Sequence, residues 1–394
     1  MKARTFLPIV AVLFAAFTLP TQTFAQSTNV RTRNTNQSTK FKSGVFKGSA
    51  NLIQSNSVTS FIGAGQSNSV LSGADYAVLG GGFGNLINND YGTVSGGGGN
   101  TASGAVATVA GGEGNTASGV FSFIGAGLGN TANSRSATVS GGEANIAGSA
   151  ASTVGGGEAN TANGEGSTVA GGWRNTASGG WATVAGGQTN TAGAIYTAIG
   201  GGNANTASGN YATVPGGNLC FATNDGSFVW SGEPFETTSS WGDYTFTVRA
   251  LGGVRFYTAS GTVAGVELAS GSGTWSSLSD RNAKENFGDV NTSEVLAKVA
   301  AMPIKTWNYK TQADGIRHIG PTAQDFKKAF GVGESDTGIT TVDADGVALA
   351  AIQGLVEELK ERDKAMAVRD KKIDELNAKL KSFEERLSSL PPAP

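Results

Sequence analysis

The chain has 394 residues, of which 60 are glycine and 15% are charged, and its formal net charge is −2. This composition excludes an average globular protein and gives no reason to expect nucleic acid or an anionic membrane as a partner. The single cysteine, Cys220, excludes an intrachain disulfide, and we expect it to be a small buried residue rather than a reactive thiol.

The first 25 residues have the pattern of a secretory signal peptide. Lys2 and Arg4 supply a positive start, the apolar run from Phe6 to Phe17 is too short to span a bilayer, and Ala25 ends a plausible cleavage site. We therefore expect export and an extracellular or cell-surface location. Residues 26–50 are polar and are predicted to be flexible. No later stretch is apolar enough for a transmembrane helix, so we expect no integral membrane anchor.

Residues 51–218 carry a repeat with a period of 15 residues. Three columns keep this step, and they consist of Asn85, Asn100, Asn115, Asn130, Asn145, Asn160, Asn175, Asn190 and Asn205; of Val94, Val109, Ile124, Val139, Val154, Val169, Val184, Ile199 and Val214; and of Ala102, Ala117, Ala132, Ala147, Ala162, Ala177, Ala192 and Ala207. Asn51 and Asn68 belong to two irregular coils with a spacing of 17. Each unit has two short alternating segments, and each segment is followed by glycine or Ser-Gly, which predicts two strands and two turns.

The fold predicted for this repeat is a parallel β-solenoid, or β-roll, in a mostly β chain. The Val/Ile and Ala columns are expected to point inward, and the Asn column is expected to form a hydrogen-bonded ladder at a turn. Nine regular coils predict a rod of roughly 40–45 Å. One valine and a few alanines per coil bury little apolar surface against the entropy of ordering 15 residues, so we expect the coils also to bury a face against other chains. The pattern resembles the head of bacterial trimeric adhesins.

Three features of the repeat suggest chemistry, and two of them also have a simpler interpretation. Glu113, Glu143 and Glu158 share one repeat position, so Glu143 and Glu158 are expected on neighbouring coils, where a pair of carboxylates is typical of a glycosidase and also of a solvated acidic column. Trp173 and Trp181 are candidates for an exposed aromatic patch. Threonine columns are found in ice-binding solenoids but threonine is also a generic strand residue; they comprise Thr93, Thr108, Thr138, Thr153, Thr168 and Thr183.

Residues 219–275 lose the period but keep alternating segments rich in aromatic side chains, which predicts a β-rich neck. A serine and a lysine follow at the end of this neck. Ser279 and Lys284 match the nucleophile and base of a Ser/Lys dyad, in which the lysine must be neutral to accept the serine proton. Residues five apart do not share a helix face, so Lys284 must either fold back through a turn or come from a neighbouring chain.

Three ordered motifs make residues 275–394 resemble the self-cleaving intramolecular chaperone domain of phage endosialidases, tail spikes and bacterial surface fibres. They are Ser279-Asp280-Arg281-Asn282-Ala283-Lys284-Glu285-Asn286, the segment from Arg317 to Phe326, and the segment from Val342 to Gln353. The resemblance implies a trimeric chaperone domain, predicted over residues 276–350, that assists assembly and then cuts the chain between Leu278 and Ser279. Candidate supporting residues are Asp280, Asn286, His318 and Gln324.

Two further positions in this region leave alternatives open. His318, the only histidine, is a candidate to orient Lys284 or to donate to an oxyanion, and it is equally a candidate for a structural hydrogen bond. Asp343 and Asp345 beside Gly346 suggest either calcium ligands or the turn that leads into a helix, and the second interpretation predicts no metal. Shorter elements predicted here are a helix capped by Ser293, a strand from Ile304 to Tyr309 and a helix from Thr322 to Phe330.

Residues 351–390 carry a heptad pattern that predicts a coiled coil. The a positions are Ile352, Leu359, Met366, Ile373, Leu380 and Leu387, and the d positions are Leu355, Arg362, Arg369, Leu376, Phe383 and Leu390. The two arginines weaken the apolar seam and are expected to help fix its register.

These expectations together predict a secreted or cell-surface homotrimeric, adhesin-like fibre that cleaves itself once and has no external substrate. Its partners would be two further copies of itself and an unknown host, matrix or cell-surface ligand, with no cofactor, metal or nucleic acid. The alternatives are a tail-spike-like protein acting on polysaccharide and an ice- or matrix-binding solenoid.

Overall fold

The computed structural model describes residues 43–261 and 264–389. The predicted signal peptide and most of the predicted flexible segment lie outside these residues. The chain divides into two compact units, Met1–Gly252 and Gly253–Pro394, which are described separately.

The first unit is a parallel β-solenoid built from very short strands. In chain order these are β1 Gly44–Val45, β2 Leu52–Ile53, β3 Phe61–Ile62, β4 Ser69–Val70, β5 Val78–Leu79, β6 Leu86–Ile87, β7 Thr93–Val94, β8 Thr101–Ala102, β9 Thr108–Val109, β10 Thr116–Ala117, β11 Phe123–Ile124, β12 Thr131–Ala132, β13 Thr138–Val139, β14 Ile146–Ala147, β15 Thr153–Val154, β16 Thr161–Ala162, β17 Thr168–Val169, β18 Thr176–Ala177, β19 Thr183–Val184, β20 Thr191–Ala192, β21 Ala198–Ile199, β22 Thr206–Ala207, β23 Thr213–Val214, β24 Cys220–Ala222, β25 Phe228–Ser231, β26 Thr238–Ser239 and β27 Phe246–Arg249.

Odd-numbered strands form one sheet of 14 strands, and even-numbered strands form a second sheet of 13. Each strand pairs in parallel with the equivalent strand of the next coil, as Thr138 does with Thr153. A third column of single parallel bridges, which the sequence did not predict, runs from Ser49 to Asn218 and joins Glu143 to Glu158. The predicted solenoid and its two strands per coil are confirmed, and the sheets extend beyond the nine regular coils.

The core of the solenoid consists of the two predicted apolar columns. Val139, Val154, Ala132 and Ala147 have no exposed surface, and the same holds for their equivalents along the rod. Thr138, Thr153 and Thr131, which precede three of these residues, point outward and are half-buried, because alternate residues of a strand face opposite sides. Ile146, which precedes Ala147, is exposed. The inward prediction for both columns is therefore confirmed.

The asparagine column is also inside the solenoid, where it forms a continuous ladder. Asn145 donates its Nδ2 to the carbonyl oxygens of Gly141 at 3.0 Å and Gly157 at 2.8 Å. Its Oδ1 accepts the backbone N–H of Asn160 at 2.9 Å. Each carboxamide therefore ties its own turn to the next coil, and the predicted ladder is confirmed.

One glycine column is required by this arrangement. Gly112 has a φ of +87°, and a Cβ there would lie 2.1 Å from the carbonyl oxygen of Gly127 in the next coil. The same carbonyl oxygen accepts the Asn115 side chain at 2.8 Å. Any larger residue would therefore break both the turn and the ladder.

The sheets continue past the end of the 15-residue period. Strands β24 to β27 pair in parallel with the preceding coils, and the register between β24 and β26 steps by 18 residues from Cys220 to Thr238. Cys220 occupies the asparagine position, where its N–H donates to Asn205 Oδ1 at 3.0 Å. The first strands of the predicted neck are thus part of the solenoid, whereas the strands from Gly253 onward belong to the second unit.

The second unit contains two small antiparallel sheets and three helices. Its elements are β28 Gly253–Tyr257, β29 Gly265–Ala269, β30 Ser276–Ser277, a 3₁₀ turn Arg281–Ala283, α1 Thr292–Ala301, β31 Lys305–Trp307, β32 His318–Gly320, α2 Ala323–Phe330 and α3 Thr341–Ser388. Strands β28, β29 and β30 form one sheet, and β31 pairs with β32 in the other. The N-cap of α1 is Asn291, whose side chain accepts from the N–H of Glu294, so the expectation that Ser293 caps this helix was wrong.

Helices α1 and α3 pack closely at a glycine. Gly354 is buried, and a Cβ at this position would lie 2.4 Å from the carbonyl oxygen of Thr292 on α1. Nearby, Thr292 Oγ1 donates to Glu357 at 2.8 Å. The rest of α3, which is 48 residues long, is exposed almost throughout. No helix in the described part of the chain is both long and apolar enough to cross a membrane.

Candidate functional site

The candidate cleavage site follows directly after an edge strand. The backbone N–H of Leu278 donates to the carbonyl oxygen of Gly265 at 3.0 Å, which extends the pairing between β30 and β29 by one residue. Leu278 is half-buried and Ser279 is exposed. The peptide bond between them therefore has an anchored residue on its N-terminal side and an open one on its C-terminal side.

The chain then reverses through the 3₁₀ turn, and Asp280 is the residue that caps it. The Asp280 carboxylate accepts the backbone N–H of Asn282 at 2.9 Å, as a helix N-cap does. The N–H of Lys284 donates to the Arg281 carbonyl oxygen at 3.2 Å and closes the turn. The reversal brings the Lys284 side chain back toward Ser279.

Lys284 Nζ and Ser279 Oγ form a hydrogen bond of 2.5 Å. The two candidate catalytic residues thus meet within one chain, and the first of the two predicted routes, a fold-back through a turn, is the one observed. In this bond the ammonium donates and the hydroxyl accepts. The arrangement can activate the serine only once the lysine has lost a proton, and burial is what favours neutral lysine. Lys284 is exposed in the single chain.

Asn286 lies two residues beyond Lys284 in the left-handed region, with φ of 56°. Asparagine tolerates this region better than most residues. The 3₁₀ turn begins at Arg281, whose guanidinium lies 5.8 Å from the centre of the Phe287 ring. The left-handed conformation of Asn286 therefore sets the direction of the chain after the motif. Its side chain makes no hydrogen bond among the described residues.

His318 is held in an aromatic cluster. Its Nε2 lies 2.9 Å from Gln312 Oε1, and its ring lies 4.8 Å from that of Trp307 and 5.6 Å from that of Tyr309. These contacts are those of a structural histidine. Within the described residues no hydrogen bond joins His318 to Ser279 or Lys284, so its predicted catalytic roles stay predictions. Gln324 is exposed on α2, and its supporting role also stays a prediction.

Residues 279–332 match the family model described as chaperone of endosialidase. The match begins at the candidate nucleophile and ends just after α2. No curated protein matches the chain. We name residues 279–332 the chaperone segment. A segment that matches the chaperone-of-endosialidase model therefore follows a β-solenoid head, as the sequence motifs predicted.

The third predicted motif lies outside the chaperone segment, at the start of α3. Thr340 caps this helix: its hydroxyl accepts the N–H of Asp343 at 3.1 Å and donates to the Asp343 carboxylate at 2.7 Å. Asp343 and Asp345 therefore belong to the first turns of a helix, as the second of the two interpretations holds. No group of metal-binding side chains occurs among the described residues.

An apolar seam on α3 extends away from the chaperone segment. Nine of its predicted a and d residues are apolar and about half exposed or more: Ile352, Leu355, Leu359, Met366, Ile373, Leu376, Leu380, Phe383 and Leu387. Side chains of this kind at heptad spacing on an isolated helix are typical of a surface that another helix covers.

The two tryptophans predicted to form an aromatic patch on the head lie in different columns of the solenoid. Trp173 belongs to the bridge column, with the Arg174 guanidinium 4.3 Å from its ring, whereas Trp181 stacks on Tyr196 at 5.2 Å. Trp181 and Tyr196 lie in a column of left-handed turn residues that also includes Tyr76 and Tyr91. This column was not predicted, although its 15-residue spacing is visible in the sequence.

Proposed function

We propose that this protein is a homotrimeric fibre, exported to the cell surface or beyond, whose C-terminal unit aligns three copies and then cuts itself off at Ser279. The observation that carries this proposal is the short contact between Lys284 and Ser279 inside a segment that matches a chaperone family. A rigid β-solenoid joined to an exposed heptad seam fits such a fibre.

The assembly role follows from the character of the head. Its coils are nearly identical, so the faces of different copies can pack against one another in many registers that differ by one coil. Helix α3 extends about 72 Å at 1.5 Å per residue, and its seam would align three chains from one end.

The cleavage step is an acyl transfer within one chain. Ser279 Oγ gives its proton to neutral Lys284 and attacks the carbonyl carbon of Leu278. The bond from that carbon to the Ser279 nitrogen then breaks, and the nitrogen takes the proton from the lysine. The resulting ester between Leu278 and the serine oxygen is hydrolysed by water. The products are a head that ends in the Leu278 carboxylate and a chaperone that begins with Ser279.

Assembly would switch on this chemistry. Lys284 is exposed to water in the single chain, and it is burial that favours the neutral form of a lysine. If a neighbouring copy covers the turn, the loss of water favours neutral lysine. Cleavage would then follow correct assembly and not precede it.

The test is expression of the full chain with three matched variants. Wild type should give two fragments on a denaturing gel, and the smaller should begin with Ser279. Ser279→Ala and Lys284→Gln should give only the uncut chain, because each removes one partner of the dyad. Ser277→Ala, a change at a neighbouring exposed serine, should cleave like wild type. An uncut wild-type chain, or a Ser279→Ala chain that is still cut, would refute self-cleavage at this site.

A further inference from the structure

One edge of the solenoid contains a row of backbone N–H groups whose hydrogen bonding differs between the ends and the middle of the rod. At the ends, the N–H donates a hydrogen bond to a side-chain oxygen of a residue in the next coil. Asp75 Oδ1 accepts from Val58 at 2.6 Å, Asp90 Oδ1 from Asp75 at 2.8 Å, and Asp225 Oδ1 from Asn210 at 2.8 Å. At the ends of the rod, the N–H at this position therefore donates to a carboxylate.

In the middle coils the same N–H groups are open. The residues at this position are Ala105, Val120, Arg135, Ala150, Glu165 and Gly180, which we name the donor row. Their backbone N–H groups have no hydrogen-bond partner among the described residues. All six residues are at least partly exposed, and successive members are about 4.8 Å apart along the rod.

The column next to the donor row forms a shallow trough. Its floor consists of the small residues Ser136, Ala151 and Gly166, and exposed aromatic side chains stand at its two ends, namely Phe121 and Trp181. One face of Trp181 packs on Tyr196, and its ring leans over Gly166, where a Cβ would lie 2.9 Å from Trp181 Cδ1. Four coil steps of about 4.8 Å separate the two aromatic ends.

Charge along the trough favours an anion at its centre. Arg135 is exposed and makes no ion pair within the described residues, and it lies between the open N–H groups of Val120 and Ala150. Glu165 is the one acidic side chain of the donor row, and it lies two coils from Arg135 toward the Trp181 end. A carboxylate near Arg135 gains charge-assisted hydrogen bonds from the guanidinium and from the backbone.

We propose that the donor row and the trough bind a carboxylate-bearing sugar chain. Its carboxylates would replace the aspartates found at the ends of the rod, and the apolar faces of its rings would pack against Trp181 and Phe121. An acidic peptide fits less well, because the strands of these coils are paired on both sides and offer no edge to extend. The proposed binding site rests on the proposed function only in requiring that the head is exported from the cell. It requires neither cleavage nor assembly.

The test measures binding of oligogalacturonate, a chain of pyranose rings with one carboxylate each, to the purified full chain. Ala150→Asn should weaken binding about tenfold, because its side chain would occupy the Arg135 N–H as Asn210 does for Ile195, without a change in charge. Arg135→Gln and Trp181→Ala should also weaken it about tenfold. Ala170→Asp, which adds a charge at an exposed position outside the donor row, should bind like wild type. Circular dichroism verifies that each variant keeps its fold.

Two other probes identify the chemistry. The methyl ester of oligogalacturonate keeps the rings and lacks the charges, so it should bind at least about tenfold more weakly, and added salt should weaken only the acid. Equal binding of acid and ester, or unchanged binding by both Ala150→Asn and Arg135→Gln, would overturn the site. Polyaspartate that binds as tightly as the sugar would overturn the sugar class in favour of an acidic peptide. No binding by wild type would overturn the proposal, whether or not the chain trimerises or cuts itself.

Discussion

Each buried asparagine of the head makes hydrogen bonds that no other side chain at its position can reproduce. Asn145 is fully buried, and its side chain bonds two glycine carbonyls and one backbone N–H. A leucine would supply apolar volume but would leave the Gly141 carbonyl and the Asn160 N–H without partners, which costs about 1–3 kcal/mol for each buried group. The Gly157 carbonyl would keep the backbone N–H of Glu143 as its partner. The polar ladder therefore supports the head in addition to its thin apolar columns.

Asn145→Ala should lower the free energy of unfolding of the head by about 3 kcal/mol, because it removes the three hydrogen bonds of a fully buried side chain at once. Asn133→Ala is the matched control, since Asn133 is exposed and its side chain makes no hydrogen bond in the described part of the chain. The control should change stability by less than about 0.5 kcal/mol. Urea unfolding followed by circular dichroism measures both. Equal effects of the two substitutions would contradict this account of the ladder.

Cys220 gives a single chemical probe of the end of this ladder. It is fully buried, and burial raises the pKa of its thiol above the ordinary value. The thiolate is the reactive form, so the folded chain at neutral pH should resist an alkylating reagent that labels it rapidly in urea. The thiol binds its proton more tightly when folded, so stability should fall as pH rises above the ordinary thiol pKa. Rapid labelling of the folded chain would refute this.

At the level of elements, the period of the sequence predicted most of the solenoid, because each inward column repeats one residue type. The third column of bridges was not predictable, since its members include side chains as different as Glu143 and Trp173 and share no side-chain property. The continuation of the sheets to Arg249 was also missed, because the coils there lengthen and lose the asparagine. Backbone pairing persists where the side-chain pattern has ended.

The candidate site shows the same division. The sequence predicted Ser279 and Lys284 as a catalytic pair, which stays a prediction, but could not decide whether they meet in one chain. The Asp280 cap of the 3₁₀ turn decides it, and an aspartate in such a motif has several other possible roles. The contact between Leu278 and Gly265 was not predictable either, because it joins residues on two strands whose pairing has no distinct sequence signal.

A single glycine sets the distance between α1 and α3. Gly354→Ala should destabilise the second unit by about 2 kcal/mol, because its Cβ would meet the Thr292 carbonyl oxygen at 2.4 Å and both groups are backbone. Gly346→Ala is the control on the same helix, since a Cβ there meets nothing within 4 Å and alanine favours helix by about 1 kcal/mol. Loss of helical circular dichroism on heating should come earlier in the first variant and no earlier in the second. The reverse order would show that the helices do not pack in this way.

For the whole molecule, the exposed seam of α3 is the feature that a single chain leaves unexplained. Ile373 is 46% exposed although it occupies an a position. In a three-chain coil it would be buried against its two counterparts, and a lysine there would place three ammonium groups in one layer.

Ile373→Lys should therefore reduce the native mass in light scattering from three chains to one. Ala378→Lys adds the same charge at an outward heptad position and should leave three chains. Both variants should keep the solenoid, which circular dichroism can verify. A wild-type chain that is already a monomer, or an Ile373→Lys chain that remains trimeric, would contradict the role of the seam.

The repetition of one register along the head has a consequence for how such a protein can change. Thr138 meets Thr153 and Thr153 meets Thr168 through the same backbone bonds, so the loss or duplication of one 15-residue unit gives every remaining layer an equivalent neighbour. A gene that gains or loses one unit would adjust the reach of the molecule by about 4.8 Å while leaving both of its ends intact. The length of the rod can in this way change without any change in the residues at its two ends.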